Sequence, residues 1–335
     1  MTAKTAIVHI GYPKTGSTTL QHGLRANTGG LKEQGFFYPV GYLPDLAQHS
    51  DLATYLRKRD TQKFETSLGG MLEAFATSGC DHFILSGEGF SYLSDRQVGV
   101  LFATLRPVFQ KIRVLLYVRN LYRYALSLLA QDSKTNLWSD GIIDLNTTLR
   151  RAQTFDPTAT IRRWEQCAGE DNMDVLCLEK LPGDVGILEH FSACFGISLP
   201  APERNRLDNA SMDPIMSAFL SRLVYEFQYP HVDLSWAYFR ERSTKFSLPR
   251  LETYLLDCAD GWVAGVDLTH PKLAPYAATL REKPTVPPSE GVPLIRSAEY
   301  LEFLAKVFLR AAKKARVRAE RHAARQTKLE PQQQG

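Results

Sequence analysis

Cysteine is scarce in this chain: five in 335 residues, at Cys80, Cys167, Cys177, Cys194 and Cys258. The number is odd and the spacing wide, and no CxxC pair or Cys/His ligand pattern occurs. Neither a disulfide framework nor a zinc site is therefore indicated. Cys177 in MDVLCLEKL and Cys194 in LEHFSACFGI lie in apolar runs and read as core packing. Long hydrophobic runs are missing too; none approaches the roughly 18–20 apolar residues of a membrane span. The opening MTAKTAIVHIGYPKTGS has too short an apolar stretch for a signal peptide. With 44% hydrophobic and 23% charged residues, the composition excludes a disordered or collagen-like chain. These absences predict a soluble, cytoplasmic globular protein.

An overall excess of one charge is lacking as well. The formal net charge is +4, but residues 306–335 hold nine Lys/Arg and two Glu, a net of +7, which leaves residues 1–305 at −3. A slightly acidic body gives no footprint for nucleic acid, so none is expected as a partner. Any anion site in it must be built by local placement.

What is present is a repeated alternation of short apolar strands and helices. TAIVHIG (5–11) reads as a strand ending in Gly11, followed by a loop and a helix over 17–27 in which Leu20 and Leu24 share a face, with Gly29-Gly30 as its stop. HFILSG (82–87), preceded by a helix around 63–77, IRVLLYVR (112–119), followed by LYRYALSLLAQ (121–131), and MDVLCLEKL (173–181) continue the theme. The pattern predicts an α/β fold, a mainly parallel sheet flanked by helices, with ligands beyond the carboxyl ends of the strands. Residues 225–246 are rich in aromatics and read mainly as core; REKPTVPPSEGVP (281–293) reads as a linker, and a last helix is expected from about Ser297. That divides the chain into a 1–225 core, a 226–305 aromatic-rich helical and loop extension on the candidate acceptor side, and a 306–335 basic helix with a frayed end.

The loop Gly11-Tyr-Pro-Lys-Thr-Gly-Ser-Thr-Thr19 carries the most chemistry. Backbone N–H groups opening a helix after a glycine turn bind anions without any basic side chain. Lys14 adds a full charge, Gly16 permits close backbone approach, and Thr15, Ser17, Thr18 and Thr19 bring hydroxyls. The spacing nearly matches the GxxxxGK[ST] phosphate loop of nucleotidases, but Ser17 stands where the lysine belongs and the lysine has moved to position 14. No strand ends in a clear metal-holding Asp; the candidates end in Glu88 and Glu179. Both features weigh against a P-loop kinase or NTPase, and no metal is expected.

PKTGSTTLQ closely resembles the 5′-phosphosulfate loop of sulfotransferases that use 3′-phosphoadenosine 5′-phosphosulfate (PAPS). A second signature of that family, an Arg at a strand end and a Ser eight residues later on the next helix, is matched by Arg119 and Ser127. LKEQGFFYP, ILSGEGF and VLCLEKLPGD…LEHFSACFGI are similar to bacterial carbohydrate-type members, so the resemblance covers about residues 5–215. It implies the P-loop-like sulfotransferase fold with PAPS as sulfuryl donor. Lys14 would stabilise charge on the bridging oxygen; Thr15, Gly16, Ser17, Thr18 and Thr19 would hold the 5′-phosphate, and Arg119 and Ser127 the 3′-phosphate. Glu88 is the first candidate for the base that takes the acceptor's proton, and His49 the second. The acceptor implied is a small molecule, a carbohydrate or a glycolipid hydroxyl. Arg123 and the segment RNRLDNAS (204–211) are further nucleotide-side candidates; the glycine-rich segment of the family's cytosolic branch has no counterpart here. The basic tail is a candidate for peripheral contact with anionic membrane, although its helix lacks a sustained apolar stripe. A kinase and a catalytically silent nucleotide-binding adaptor stand as the alternatives.

Overall fold

The structure is a computed structural model that describes residues 3–44, 47–135, 152, 154–182, 185–199 and 249–285. The aromatic segment 225–246, RNRLDNAS, most of the proline-rich linker, the helix expected from 297 and the basic tail lie outside the described residues. The chain divides into two compact units. One comprises 1–124, 151–209 and 261–283; the other comprises 125–150, 210–260 and 284–335.

The first unit is built on five strands: β1 (Thr5–Ile10), β2 (Phe36–Phe37), β3 (His82–Gly87), β4 (Lys111–Val118) and β5 (Met173–Cys177). They form one parallel sheet in the order β2-β3-β1-β4-β5. All of β1 except Thr5 is buried, as suits a β-branched strand covered on both faces. The expected strand over 173–181 is shorter than its apolar run, because Leu178–Lys180 turn into a 3-10 helix.

Helices α1 (Ser17–Ala26), α2 (Thr28–Glu33), α3 (Ser50–Lys58), α4 (Thr61–Ser78), α5 (Asp95–Leu105), α6 (Leu121–Thr135), α7 (Pro157–Ala168), α8 (Ile187–Phe195), α9 (Pro249–Gly265) and α10 (Ala277–Arg281) follow in chain order. Their ends obey local chemistry. Asp60 and Asp156 accept the amides of Lys63 and Ala159 as N-caps of α4 and α7, and Ser94 with Gln97 forms a capping box on α5. Gly29 and Gly30 do not stop a helix; α1 ends at Asn27, whose side-chain amide donates to Gly23 O at 2.8 Å, and both glycines lie within α2.

Leu20 and Leu24 of α1 pack with Leu188 and Phe191 of α8 against Ile7, Ile84, Leu115 and Tyr117 on one face of the sheet. On the other face, Phe83 meets Phe75 of α4 and Phe109, with ring centroids 5.4 Å apart in both pairs. In the second unit, the described residues are the rest of α6 from Ala125, α9 up to Asp260, and 284–285. Ala125, Leu128, Leu256 and Ala259 are buried there. Among the described residues no helix is long and apolar enough to cross a membrane.

Two features of this topology position the site. From β1 the chain steps out to the edge strand β2, returns inward to β3 beside β1, then crosses to β4 and β5 on the other side. The sheet order therefore reverses at β1, where open α/β sheets bind ligands. The register pairs Ile10 with Gly87 and Val118 with Cys177. The segments beginning at Gly11, Glu88, Arg119 and Leu178 thus all emerge at the carboxyl edge of the sheet.

Candidate active site

The loop after β1 has the backbone of an anion cradle. Lys14 (φ 67°) and Gly16 (φ 81°) are both left-handed, which is costly for lysine and free for glycine. Alternating left- and right-handed residues turn successive N–H groups to one side. The amides of Thr19 and Leu20 close onto Gly16 O at 3.0 and 3.2 Å, so the amides just ahead of them form the open positive end of α1. No acidic residue occupies that first turn.

The hydroxyls divide into two sets. Thr15 and Ser17 are buried; Thr15 Oγ1 donates to Tyr12 O at 2.7 Å and lies 3.5 Å from Ser17 Oγ. They brace the loop from within. Thr18 is half-buried and Thr19 exposed, which leaves their hydroxyls on the outer side. Gly11 is required for closeness, since a side chain there would collide with Ser17 Oγ, and a Cβ at Gly16 would lie 3.2 Å from Ile187 of α8. Tyr12 is buried; its hydroxyl donates to Asp156 O (3.0 Å) and pairs with the Thr160 hydroxyl (2.6 Å), fastening the loop to α7.

Arg119 reaches the loop from the end of β4. Its Nη1 donates to Lys14 O at 2.6 Å, and its Nε lies 4.0 Å from Glu179 Oε1. Burial lowers the guanidinium pKa, and the Glu179 charge opposes that. Glu179 is itself anchored, for its Oε2 accepts the Asn120 amide at 2.9 Å and the Cys177 thiol at 3.4 Å. Asn120, also buried, donates to Thr279 O and Glu282 O at 2.8 and 2.7 Å. Ser127 lies on α6, eight residues beyond Arg119, in the stretch assigned to the second unit. Arg123 is exposed and its amide donates to Asn120 Oδ1.

Glu88 opens the 3-10 turn that follows β3. Desolvation raises its pKa and the charge of Lys14 pulls it back down, so the two side chains feel each other across the β1–β3 edge. A carboxylate so placed is a stronger base than one in water. His49 lies one residue before α3 and is buried. Its Nε2 faces Pro39 O at 2.8 Å and its Nδ1 accepts the Ser86 amide at 3.0 Å. Both ring nitrogens are thus engaged with backbone.

The sequence pointed to Lys14, the loop, Glu88 and Arg119, and the fold brings these to one edge. It pointed less to Glu179, noted only as a strand end, and not at all to Asn120 or Tyr12. A polar pair at the end of a buried strand, Arg119-Asn120, was the available signal.

No protein-family model matches this chain, and no curated protein matches it. Among solved structures, a sulfotransferase from Alicyclobacillus acidocaldarius is similar over 70% of this chain and 100% of that chain, at 13% identity and a TM-score of 0.39. A likeness that distant carries no weight beside the residues themselves.

Proposed function

We propose that this protein is a sulfotransferase that moves a sulfuryl group from PAPS to an acceptor hydroxyl. The observation that carries this reading is the loop itself. A left-handed Lys14 sits inside it, rather than at the helix start, and its carbonyl is held by the strand-end Arg119. A lysine at the helix start would serve the β/γ-phosphates of a nucleoside triphosphate; one inside the loop is suited to a charge developing next to a 5′-phosphate.

The donor supplies an activated sulfuryl group, and the residues present suit it. The loop amides and the Thr18 and Thr19 hydroxyls hold the 5′-phosphate, with Thr15 and Ser17 bracing them. Lys14 stabilises the negative charge that grows on the bridging oxygen. Arg119 offers its guanidinium to the 3′-phosphate, and Ser127 is the second candidate there by its spacing. Glu88 takes the proton from the acceptor hydroxyl. Its raised pKa suits that task, and its side chain, unlike the His49 ring, is not committed to backbone partners at both ends. The acceptor class, a carbohydrate or glycolipid hydroxyl, follows from the sequence resemblance.

Calorimetric titration with 3′-phosphoadenosine 5′-phosphate, 5′-AMP, and ATP with magnesium tests this. Charge-assisted hydrogen bonds contribute about 1.5–3 kcal/mol each, so loss of the 3′-phosphate is expected to weaken binding by roughly 10- to 100-fold. Tight binding of magnesium-ATP alone would overturn the reading in favour of a kinase.

A further inference from the structure

Two histidines with no chemical step assigned to them converge on one serine. Ser86 is the next-to-last residue of β3, two before Glu88, and is fully buried. On one side it is paired in register with His9 of β1, whose Nδ1 lies 2.8 Å from Ser86 Oγ. On the other, His49 takes both backbone groups of Ser86. The His49 amide donates to Ser86 O at 2.8 Å, and its Nδ1 accepts the Ser86 amide at 3.0 Å. Because Nδ1 accepts, Nε2 carries the proton and donates to Pro39 O at 2.8 Å. A His49 ring that picked up a second proton would lose the Ser86 amide.

The fastening continues on both sides of Glu88. A Cβ at Gly87 would lie 2.9 Å from Ser50 N and 3.1 Å from His49 C, so that backbone approach is open only to glycine. Gly89 N donates to Ser50 Oγ at 3.1 Å, and Ser91 Oγ donates to Glu88 O at 2.8 Å. On the opposite side, the His9 ring reaches under the start of the loop, where its Cε1 would lie 3.1 Å from a Cβ at Gly11, the position that also faces Ser17 Oγ. One buried imidazole therefore touches both the strand that carries Glu88 and the turn that opens the loop of Lys14.

We propose that His9 and His49 are positioning residues that hold Ser86 from its two sides and so fix Glu88 relative to the Lys14 loop. This assignment rests on the sulfuryl-transfer reading only where it concerns turnover. The hydroxyl–imidazole bond sets the depth of β3 against β1, and the two backbone bonds to His49 set the direction in which the chain leaves the strand. Proton transfer over a single hydrogen bond tolerates little displacement, and an error near 1 Å costs up to about 100-fold in rate.

Amide hydrogen exchange on the full chain, with turnover measured alongside, tests it using H9L and H9N. Leucine fills the space and cannot bond Ser86; asparagine places an amide near the Nδ1 position and can. H9L is expected to speed exchange at Ser86–Gly89 and Gly11–Ser17 while leaving β5 unchanged. It should lower kcat roughly tenfold with KM for the donor within about threefold, and H9N should recover most of both. Even acceleration across all five strands, or H9N as impaired as H9L, would overturn the assignment. If H9L does not fold, ring ¹⁵N shifts of the unsubstituted protein decide. His49 is expected to be the Nε2–H tautomer at neutral pH; a protonated Nδ1 would overturn it. Localised exchange changes without any transfer from PAPS would retain the clamp and remove the sulfotransferase reading.

Discussion

The two ends of the parallel sheet hold similar side chains and use them differently. At the carboxyl end, Arg119 is largely buried and bonded to the Lys14 carbonyl, and Glu179 is bonded to the Asn120 amide. At the amino end, a half-open cavity of about 230 Å³ is lined by Phe36, His82, Lys111, Arg113, Cys194 and Phe195, among others. There Arg113 pairs with Asp174 at 2.6 Å and lies 4.6 Å over the Phe195 ring, and His82 stacks on Phe36 at 4.4 Å. Both ends carry cations; at the carboxyl end they stand beside the left-handed Gly16 and the opening of α1. At the amino end α8 finishes rather than begins, and its terminal Cys194 and Phe195 line the cavity. The partial charge of a helix is positive where it opens and negative where it closes. The partial charge that helices present at each end therefore follows chain direction, not the number of basic residues.

That contrast can be broken most severely at the proposed base. Glu88→Gln, nearly isosteric, is expected to lower turnover by roughly 100- to 10,000-fold while bisphosphate still binds. As the proposed base Glu88 would work deprotonated, and burial raises its pKa, so turnover of the unsubstituted protein should fall on acidification through a value above the ordinary carboxylate range. A pH–rate profile of Glu88→Gln that retained both its height and its acid limb would move the base elsewhere. Lys14→Ala comes next, with a loss in kcat of about 100-fold or more and a much smaller loss in bisphosphate affinity. Equal losses in both would make Lys14 a phosphate clamp. Arg119→Ala should weaken bisphosphate binding by roughly 10- to 100-fold in calorimetry.

A smaller effect separates buried from exposed histidine. His9 is held neutral by burial, with its pKa lowered to about 3 from 6.5. The unfolded chain takes up that proton first, so its contribution is complete above about pH 6.5. It declines as pH falls towards 3, by up to about 1.4 kcal/mol per pH unit. Urea midpoints at pH 7 and pH 5 should therefore differ more in the unsubstituted protein than in H9N. The smallest effect is expected at the amino end. Arg113→Ala removes a partly exposed ion pair and should change bisphosphate affinity and turnover less than about twofold. A large loss there would abolish the distinction between the two ends.

Much of the fold was legible because its signals are local. Strands such as HFILSG and the β1 run announce themselves by composition, and β3 occupies 82–87 as read. The loop was legible for the same reason, since glycines, a lysine and hydroxyls stand within nine residues. The two-residue β2 and the helices α3 and α5 leave weaker traces in the sequence. Gly29-Gly30 is the exception, because a glycine pair that normally breaks a helix sits here inside a six-residue one.

Hydroxyl direction was equally out of reach. Thr15 and Ser17 are chemically like Thr18 and Thr19, but helix phase and the left-handed turns before them face the first pair inward. His49 in DLAQHSDL reads as a second candidate base; only its place beside Ser86, 37 residues away, assigns both ring nitrogens.

By itself, the sequence determined that alternating buried strands and helices would make a parallel α/β sheet, and that the lysine-bearing glycine loop would stand where a strand meets a helix. Periodicity and turn chemistry act over a few residues, so they can be read along the chain. The tertiary structure alone decided that Glu88 and Arg119 flank that loop, that Glu179 lies 4.0 Å from the arginine, and that His9 and His49 meet at Ser86. Those outcomes depend on the strand order β2-β3-β1-β4-β5 and its register. Register and order are settled by burial of whole faces, through contacts between residues far apart in sequence.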